Sequence, residues 1–262
     1  MYRENSNAIS TVSLETKVSK EEWRVRCDLA AAYRVAHHLK WTDLIFTHFT
    51  ARVPGSEHFL INPYGLLFNE ITASNLVKID SDANIIEDVT GLGVNPAGFV
   101  IHGCIHEARP EVGAVLHTHT RAGVAVSAYK DGLLPISQHA ARTYGMVTYH
   151  EYEGIALDLE ERVRLASDLG KESRAMILRN HGLLTVGKTV AEAVEVMYYL
   201  DAACQIQIDA VAAGVDNLLR IPEEIALKVY KQFENAGGYK MAMDTWNALT
   251  RMLDNQGVTY RV

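Results

Sequence analysis

The chain has few cysteines and no long apolar run, and both absences narrow the classes of protein to which it can belong. The three cysteines, Cys27, Cys104 and Cys204, are far apart, so neither a disulfide framework nor a paired-cysteine metal site is expected. No stretch approaches the roughly 20 apolar residues that cross a bilayer. The polar first segment, residues 1–19, lacks the apolar block of a secretion signal. We therefore expect a cytoplasmic protein in which residues 1–19 form a mobile arm.

Positive charge is also in short supply. The chain has 25 Lys and Arg residues against 32 Asp and Glu residues, which gives a net charge of −7. This balance disfavours nucleic acids and anionic membranes as partners. The 262 residues, 48% of them hydrophobic, suffice for a substantial core. No repeat, low-complexity stretch or linker divides them, so we expect one domain over residues 20–262.

Helix and strand patterns are mixed along the chain. Capping boxes at Ser19–Glu22 and Thr189–Glu192, and the pair Asn95-Pro96, mark three helix starts. Periodicity predicts helices over about residues 20–39, 96–109, 121–130, 158–170, 189–214 and 239–254. Runs of β-branched, aromatic and apolar residues predict strands over residues 45–53, 58–61, 113–120, 146–150 and 174–180. This mixture favours an α/β domain in which helices cover a sheet.

Three of the eleven histidines stand where predicted strands end. His117 and His119 are two residues apart on one strand, so their side chains share a face. His181 follows the apolar run 176–178, and Gly182 after it allows the backbone to turn sharply. Three neutral imidazoles with an open position suit Zn²⁺, Fe²⁺ or Mn²⁺ and could polarise a carbonyl. The alternative is a surface pair of histidines without a role and a His181 that only caps a turn.

These histidines belong to stretches that together resemble the class II aldolase/adducin family. The similarity runs from about Val25 to Gly214 and rests on IFTHFTARVPG, HFLINPYGLLFNEITASNLVKID, GFVIHGCIHEARPEVGAVLHTHT, GLLPIS and ILRNHGLLTVG. Within the family, the chain looks closest to the adducin head domain and its bacterial relatives. The resemblance implies a three-layer α/β/α fold with a mainly antiparallel central sheet. It also implies a homotetramer with active sites at subunit interfaces.

The family's metal site maps onto this sequence residue by residue. The resemblance implies that His117, His119 and His181 hold one divalent metal ion. Zn²⁺ is the first expectation, and Fe, Mn or Ni are alternatives. A small-molecule carbonyl or carboxylate compound is the implied substrate.

The sequence departs from the family where protons are moved and phosphate is bound. The family's sugar-phosphate aldolases have two serines and a catalytic Glu where this chain has Pro96, Ala97 and Gly98. Glycine has no side chain that could accept or donate a proton, and without the two serines there are no hydroxyl groups to donate hydrogen bonds to a phosphate. A Gly-Asn pair that contacts phosphate in the family is Thr47-His48 here. We therefore expect a substrate without a phosphate group.

Two histidines could replace the missing catalytic Glu. His48 and His139 fall at or near pocket residues of the family, and imidazole titrates near neutral pH. The alternative for both is a packed or solvent-facing histidine. Tyr64 and Gln138 are weaker candidates for binding substrate. Arg121 stands at a helix start and could bind a carboxylate, although such a residue more often caps a surface.

The resemblance also brings a C-terminal residue of one subunit into the pocket of its neighbour. Tyr239, Trp246 and Tyr260 are the candidates for this role. His102 and His106 lie one turn apart on a predicted helix, and we expect them to be partly buried and structural.

The intact histidine set beside a missing Glu favours a metal-dependent lyase. It would be of the aldolase or decarboxylase type and act on a non-phosphorylated keto or hydroxy acid. A metal-dependent oxygenase of aryl keto acids is one alternative. Another is a non-catalytic, adducin-like scaffold or ligand-binding protein, and a third is a metal-binding fold that has lost its chemistry. Actin binding is not expected, because adducin uses a neck and a Lys-rich tail for it and this sequence ends at Val262 without one.

Overall fold

The computed structural model describes residues 13–154 and 159–262, and within them eight strands form one sheet. The strands are His48–Arg52 (β1), Phe59–Ile61 (β2), Val77–Ile79 (β3), Ile85–Glu87 (β4), Ala114–Thr118 (β5), Val147–His150 (β6), Ala175–Leu178 (β7) and Gly182–Gly187 (β8). Their order in the sheet is β4-β3-β2-β1-β5-β8-β7-β6. The β6–β7 pair is parallel and the other described pairs are antiparallel. This confirms the expected mainly antiparallel sheet.

Helices cover both faces of the sheet. They are Lys20–His38 (α1), Pro96–Ala108 (α2), Arg121–Ser127 (α3), Gln138–Thr143 (α4), Leu159–Leu169 (α5), Val190–Val211 (α6), Glu223–Asn235 (α7) and Gly238–Asn255 (α8). Short 3-10 helices span Phe68–Glu70 and Val215–Asn217. α2 and α5 pack on one face, whereas α1, α3 and α6 pack on the other, with α4 and α8 against α6 and α7 against α4. The three-layer α/β/α fold is confirmed.

Side-chain alternation along β5 divides the core and aims the first histidine. Ala114 and Leu116 lie in the cluster that contains α1 and α6 residues. Val115 lies in the cluster that contains α2 and α5 residues. Because successive side chains of a strand point to opposite faces, His117 shares the face of Val115 and lies on the α2 side of the sheet.

Several elements differ from their predicted extent. The predicted strand 45–53 begins only at His48, because the Phe46 N–H donates to the Asp43 carbonyl in a tight turn (2.8 Å). The predicted helix 121–130 ends at Ser127. Five elements were not predicted. β3, β4 and α4 are only three to six residues long, and β8 follows another strand almost directly. The longer helix α7 was not predicted either.

One predicted capping box is only half formed. The Ser19 hydroxyl accepts from the Glu22 N–H at 3.1 Å, as expected for an N-cap. The Glu22 carboxylate instead accepts from Arg26 at 2.9 Å and from Lys78 at 2.8 Å. Two cations therefore hold the side chain that would have completed the box.

Only part of the predicted N-terminal arm can be placed. Residues 1–12 lie outside the described residues. Leu14 is buried, and its N–H donates to the Ser74 hydroxyl at 3.0 Å, so this end of the arm packs on the rest of the chain. None of the helices in the described ranges is both long and apolar enough to cross a membrane.

Candidate metal centre

Three histidines meet at one end of β5 and β8. His117 lies on β5, His119 follows that strand, and His181 lies in the turn between β7 and β8. The ring centroids are 4.7 to 4.8 Å apart. Each ring offers one nitrogen, and these three nitrogens lie within 4.8 Å of one another. His117 is buried, whereas His119 and His181 are partly exposed, so one side of the cluster reaches the surface.

Hydrogen bonds decide which nitrogen two of these rings turn towards the cluster. His117 Nδ1 lies 3.0 Å from the Leu183 carbonyl oxygen, and His119 Nδ1 lies 2.9 Å from Asp43 Oδ2. Both oxygens act as acceptors, so each Nδ1 carries a proton and Nε2 is the nitrogen of each ring that is available to a ligand. The two Nε2 atoms are 2.9 Å apart. Lone pairs at that distance repel unless a cation or a proton lies between them, so this donor set fits a divalent metal ion.

Burial favours the neutral, metal-binding form of His117 and His181. Burial, followed by the proximity of His181, holds the pKa of His117 well below its usual value. Burial, followed by the proximity of His119, lowers the pKa of His181 to about 4. Both imidazoles are therefore neutral at pH 7, and a neutral imidazole is the form that ligates metal ions.

A tight turn brings His181 to the cluster. Asn180 adopts the left-handed conformation, with φ of 55°, which Asn tolerates better than most residues. The sequence assigned the sharp turn to Gly182, and this assignment is wrong. Gly182 begins β8, where an added Cβ would collide with the Thr118 carbonyl oxygen. A glycine is needed there because β8 approaches the end of β5 closely.

His48 lies beside the cluster on the neighbouring strand. It stands opposite His117 in the β1–β5 pairing, with ring centroids 5.9 Å apart. Its ring also covers Gly98, where an added Cβ would lie 3.0 Å from Cε1 and Nδ1 of His48. Burial lowers the pKa of His48 to about 4, although a hydrogen bond to the Gly98 backbone acts in the opposite direction. His48 Nε2 is buried and has no hydrogen-bond partner.

A buried polar network supports this face of the sheet. The Thr50 hydroxyl lies 2.8 Å from His102 Nδ1 and 2.9 Å from His106 Nε2. His106 Nδ1 lies 3.3 Å from the Val112 carbonyl oxygen. His102 and His106 are fully buried rather than partly buried, and they tie α2 to β1. The ring of His102 is 4.1 Å from that of His48.

The other predicted pocket residues lie on separate elements. His139 is on α4, with its ring 5.7 Å from the ring of Tyr199 on α6. Arg121 is exposed at the start of α3, two residues after His119. Tyr64, just after β2, and Gln138, at the start of α4, are also exposed. The structure brings His48 to the three histidines, whereas the roles of these four residues stay predictions.

Two of the three C-terminal candidates are buried in their own chain. Trp246 Nε1 donates to Asp28 at 3.1 Å, and Tyr260 is 1% exposed. Tyr239 is 59% exposed. It lines two grooves of about 690 and 440 Å³, which lie at the opposite end of β5 and β8 from the histidines.

Sequence reasoning missed two residues at the cluster. Asp43 holds His119, as described above, and the ring of the exposed Tyr152 lies 6.4 Å from that of His181. Neither residue belongs to a recognisable motif. The pairing of β1 with β5 places Asp43, and the end of β6 places Tyr152, so only the folded chain reveals them.

The three-layer fold, with histidines clustered at its strand ends, defines a protein of the class II aldolase type. The chain belongs to the Class II Aldolase and Adducin N-terminal domain family, whose family model matches residues 27–208. This confirms the resemblance that the sequence motifs indicated.

Three relatives illustrate the range of the family. The crystal structure of an aldolase II superfamily protein from Pseudomonas syringae is 57% identical, with a TM-score of 0.93 over 96% of this chain and 100% of that one. An L-fuculose 1-phosphate aldolase from Glaciozyma antarctica PI12 is 32% identical, with a TM-score of 0.80 over 97% of this chain and 96% of that one. Alpha-adducin from Rattus norvegicus is 45% identical over 91% of this chain, which spans 34% of the adducin.

Proposed function

We propose that this protein is a metal-dependent lyase, of the aldolase or decarboxylase type, that acts on a non-phosphorylated keto or hydroxy acid. One observation carries the proposal: the Nε2 atoms of His117 and His119 lie 2.9 Å apart while both Nδ1 atoms face oxygen acceptors, and His181 stands beside them. These three residues would hold one divalent ion, with Zn²⁺ as the first choice and Fe, Mn or Ni as alternatives. When bound, the ion would supply Lewis-acid polarisation of a carbonyl.

His48 is our candidate for the proton-moving group. Its Nε2 is buried and has no hydrogen-bond partner in the structure. A neutral imidazole has one unprotonated nitrogen, and the proposal assigns this role to Nε2, whose lone pair would accept a proton. Arg121 would bind the carboxylate of the acid through its guanidinium. His139, Tyr64 and Gln138 would complete the pocket from α4 and the β2 end, in the same subunit or across a subunit interface.

The absence of a phosphate group from the substrate rests on four positions. Pro96 and Ala97 provide no hydroxyl donor, and Thr47-His48 replaces the Gly-Asn pair. One relative is nevertheless named for a sugar phosphate, L-fuculose 1-phosphate. That compound therefore belongs in any substrate screen as the competing possibility.

Metal content is the first test. We expect near-stoichiometric Zn, Fe, Mn or Ni in protein purified without chelator or a histidine tag. His117→Ala should lose this metal, because two ligands remain where three are needed. His38→Ala, which removes an exposed histidine at the end of α1, should keep it. A wild-type chain without metal, even after metal is added back, would overturn the proposal.

A substrate screen tests the reaction. Keto and hydroxy acids are incubated with the metal-loaded protein, anaerobically and in air, and carbon–carbon cleavage is followed. Cleavage without oxygen supports the lyase, whereas turnover only in air supports the aryl keto acid oxygenase. Turnover of L-fuculose 1-phosphate alone would contradict a non-phosphorylated substrate.

A scaffold of the adducin type is the second candidate. It is favoured by the 45% identity to alpha-adducin over most of this chain. The family resemblance also leads us to propose a homotetramer, which light scattering during gel filtration would measure. Saturable cosedimentation of the protein with actin filaments at physiological salt, together with an empty metal site, would favour the scaffold over the enzyme.

A further inference from the structure

We infer that Asp43 positions His119 as a metal ligand and that the turn over residues 40–47 holds the Asp43 carboxylate in place. The inference rests on the metal centre proposed above and concerns a residue outside the three histidines. If it is correct, the centre depends on a segment that precedes all of its ligands in the chain.

The geometry is that of a carboxylate, an imidazole and a metal site in series. Asp43 Oδ2 lies 2.9 Å from His119 Nδ1. The carboxylate fixes the Nδ1–H tautomer, orients the ring and makes Nε2 a stronger electron donor. His117 has the same tautomer, but its Nδ1 faces the uncharged Leu183 carbonyl. His119 is thus the ligand whose ring is oriented by a charged side chain rather than by a backbone carbonyl.

Two hydrogen bonds hold the turn that carries Asp43, one to α6 and one within the turn itself. The buried Trp41 donates from its Nε1 to Asp201 on α6 at 3.0 Å. The backbone closes on itself where the Phe46 N–H donates to the Asp43 carbonyl at 2.8 Å. These bonds hold the chain on both sides of Asp43. They therefore restrict the positions that its carboxylate can take relative to His119.

Backbone strain in the same turn indicates that the contact between Asp43 and His119 is more than an incidental surface contact. Leu44, directly after Asp43, has φ of 50°, and Thr47 has φ of 63°. Such values are uncommon for residues other than glycine, and a β-branched residue like Thr is a clear outlier. Strained backbone persists only where its surroundings enforce it, and it concentrates at functional sites. The Asp43–His119 pair is partly exposed, and exposed pairs contribute little to stability. Positioning of a ligand explains the arrangement better than stability does.

The test compares metal affinity between variants that still fold. Asp43→Ala removes the acceptor, whereas Asp43→Asn keeps an acceptor oxygen but removes the charge. We expect metal affinity to fall about 10- to 100-fold in Asp43→Ala and by less in Asp43→Asn. Asp216→Asn, which neutralises an exposed carboxylate on the 3-10 helix Val215–Asn217, should match the wild type. Competition with a chelating dye measures all four proteins.

A second readout follows the His119 ring in metal-free protein. Nitrogen-15 chemical shifts of the imidazole should show the Nδ1–H tautomer in the wild type and a mixture of tautomers in Asp43→Ala. An unchanged tautomer, or a metal affinity of Asp43→Ala within twofold of the wild type, would overturn this inference and leave the proposed function standing. A wild-type chain that binds no metal would overturn the proposed function and with it the ligand role of His119.

Discussion

At the scale of single residues, His48 and Gly98 share one space. A Cβ at position 98 would lie 3.0 Å from the His48 ring. The ring of His102, whose centroid is 4.1 Å from that of His48, restricts how far the His48 ring could move away. His48 on β1 and Gly98 on α2, the two positions where we expect departures from the family's sugar-phosphate aldolases, are therefore neighbours in the folded chain. This coupling also explains how α2 accommodates a bulky buried ring so close to its first turn.

The first prediction measures this coupling. Gly98→Ala should destabilise the wild type, because the new Cβ would lie 3.0 Å from the His48 ring. In a His48→Ala background the same change should stabilise by up to about 1 kcal/mol, since Ala favours a helix over Gly. Urea unfolding of the four proteins gives the interaction energy, which we expect to be about 1 to 2 kcal/mol.

A matched control uses a helical glycine with room around it. At Gly238, the first residue of α8, the nearest atom to an added Cβ is 3.9 Å away. Gly238→Ala should be neutral or mildly stabilising in both backgrounds. Additive effects of the His48 and Gly98 changes, within about 0.5 kcal/mol, would show that the two residues do not share space.

At the scale of elements, α6 holds the layers together. It packs against β5, β7 and β8 of the sheet and against helices α1, α3, α4 and α8. Its N-terminus has a complete capping box, in which the Thr189 hydroxyl accepts from the Glu192 N–H and Glu192 accepts from the Thr189 N–H. The box was predicted from the sequence and is confirmed.

The second prediction concerns this cap. Thr189→Ala should lower the free energy of unfolding by about 1 kcal/mol, because the Glu192 N–H loses its acceptor. Thr250→Ala, which removes a hydroxyl inside α8, should change it by less than about 0.5 kcal/mol. Urea denaturation measures both variants. Equal losses in the two proteins would contradict a specific role for the cap.

At the scale of the whole molecule, buried histidines make stability depend on pH. Burial lowers the pKa of His106 to about 3, and the nearby Arg52 guanidinium acts in the same direction. In the unfolded chain a histidine titrates near pH 6.5. Between about pH 3 and 6.5 the unfolded chain therefore binds more protons at this residue than the folded chain does. His106 thus contributes stability that is complete above about pH 6.5 and is lost as the pH falls towards 3.

The third prediction isolates this titration. The free energy of unfolding should fall on acidification below about pH 6.5, with His106 adding up to about 1.4 kcal/mol per pH unit to the slope. His106→Gln keeps an acceptor for the Thr50 hydroxyl but cannot titrate, so its acid slope should be shallower. Urea unfolding at several values between pH 5 and 8 measures the slopes. His38→Ala, which removes an exposed histidine, should retain the wild-type slope.

Local rules account for the parts of the fold that local forces decide. The helix starts at Ser19, Asn95 and Thr189 were predicted correctly, because these signals depend on residues a few positions apart. Ser19 and Thr189 cap through their hydroxyls, whereas the Asn95 side chain makes no capping hydrogen bond and Pro96 marks the start. The three strand-end histidines were also found, through their spacing and the family motifs around them. Short elements such as β3 and α4 were missed, because three to six residues carry too little periodicity to stand out.

The α/β class, the family and the three histidines could be read from the sequence, since each rests on residue types at fixed spacings. The folded chain was needed to show that Asp43 holds His119 and that the His48 ring lies over Gly98. It also showed that Gly182 is needed for a close approach to β5 rather than for a turn. The physical reason is the same in each case. These contacts join residues far apart in the chain. The pairing of β1, β5 and β8 creates them, and patterns of neighbouring residues do not predict that pairing.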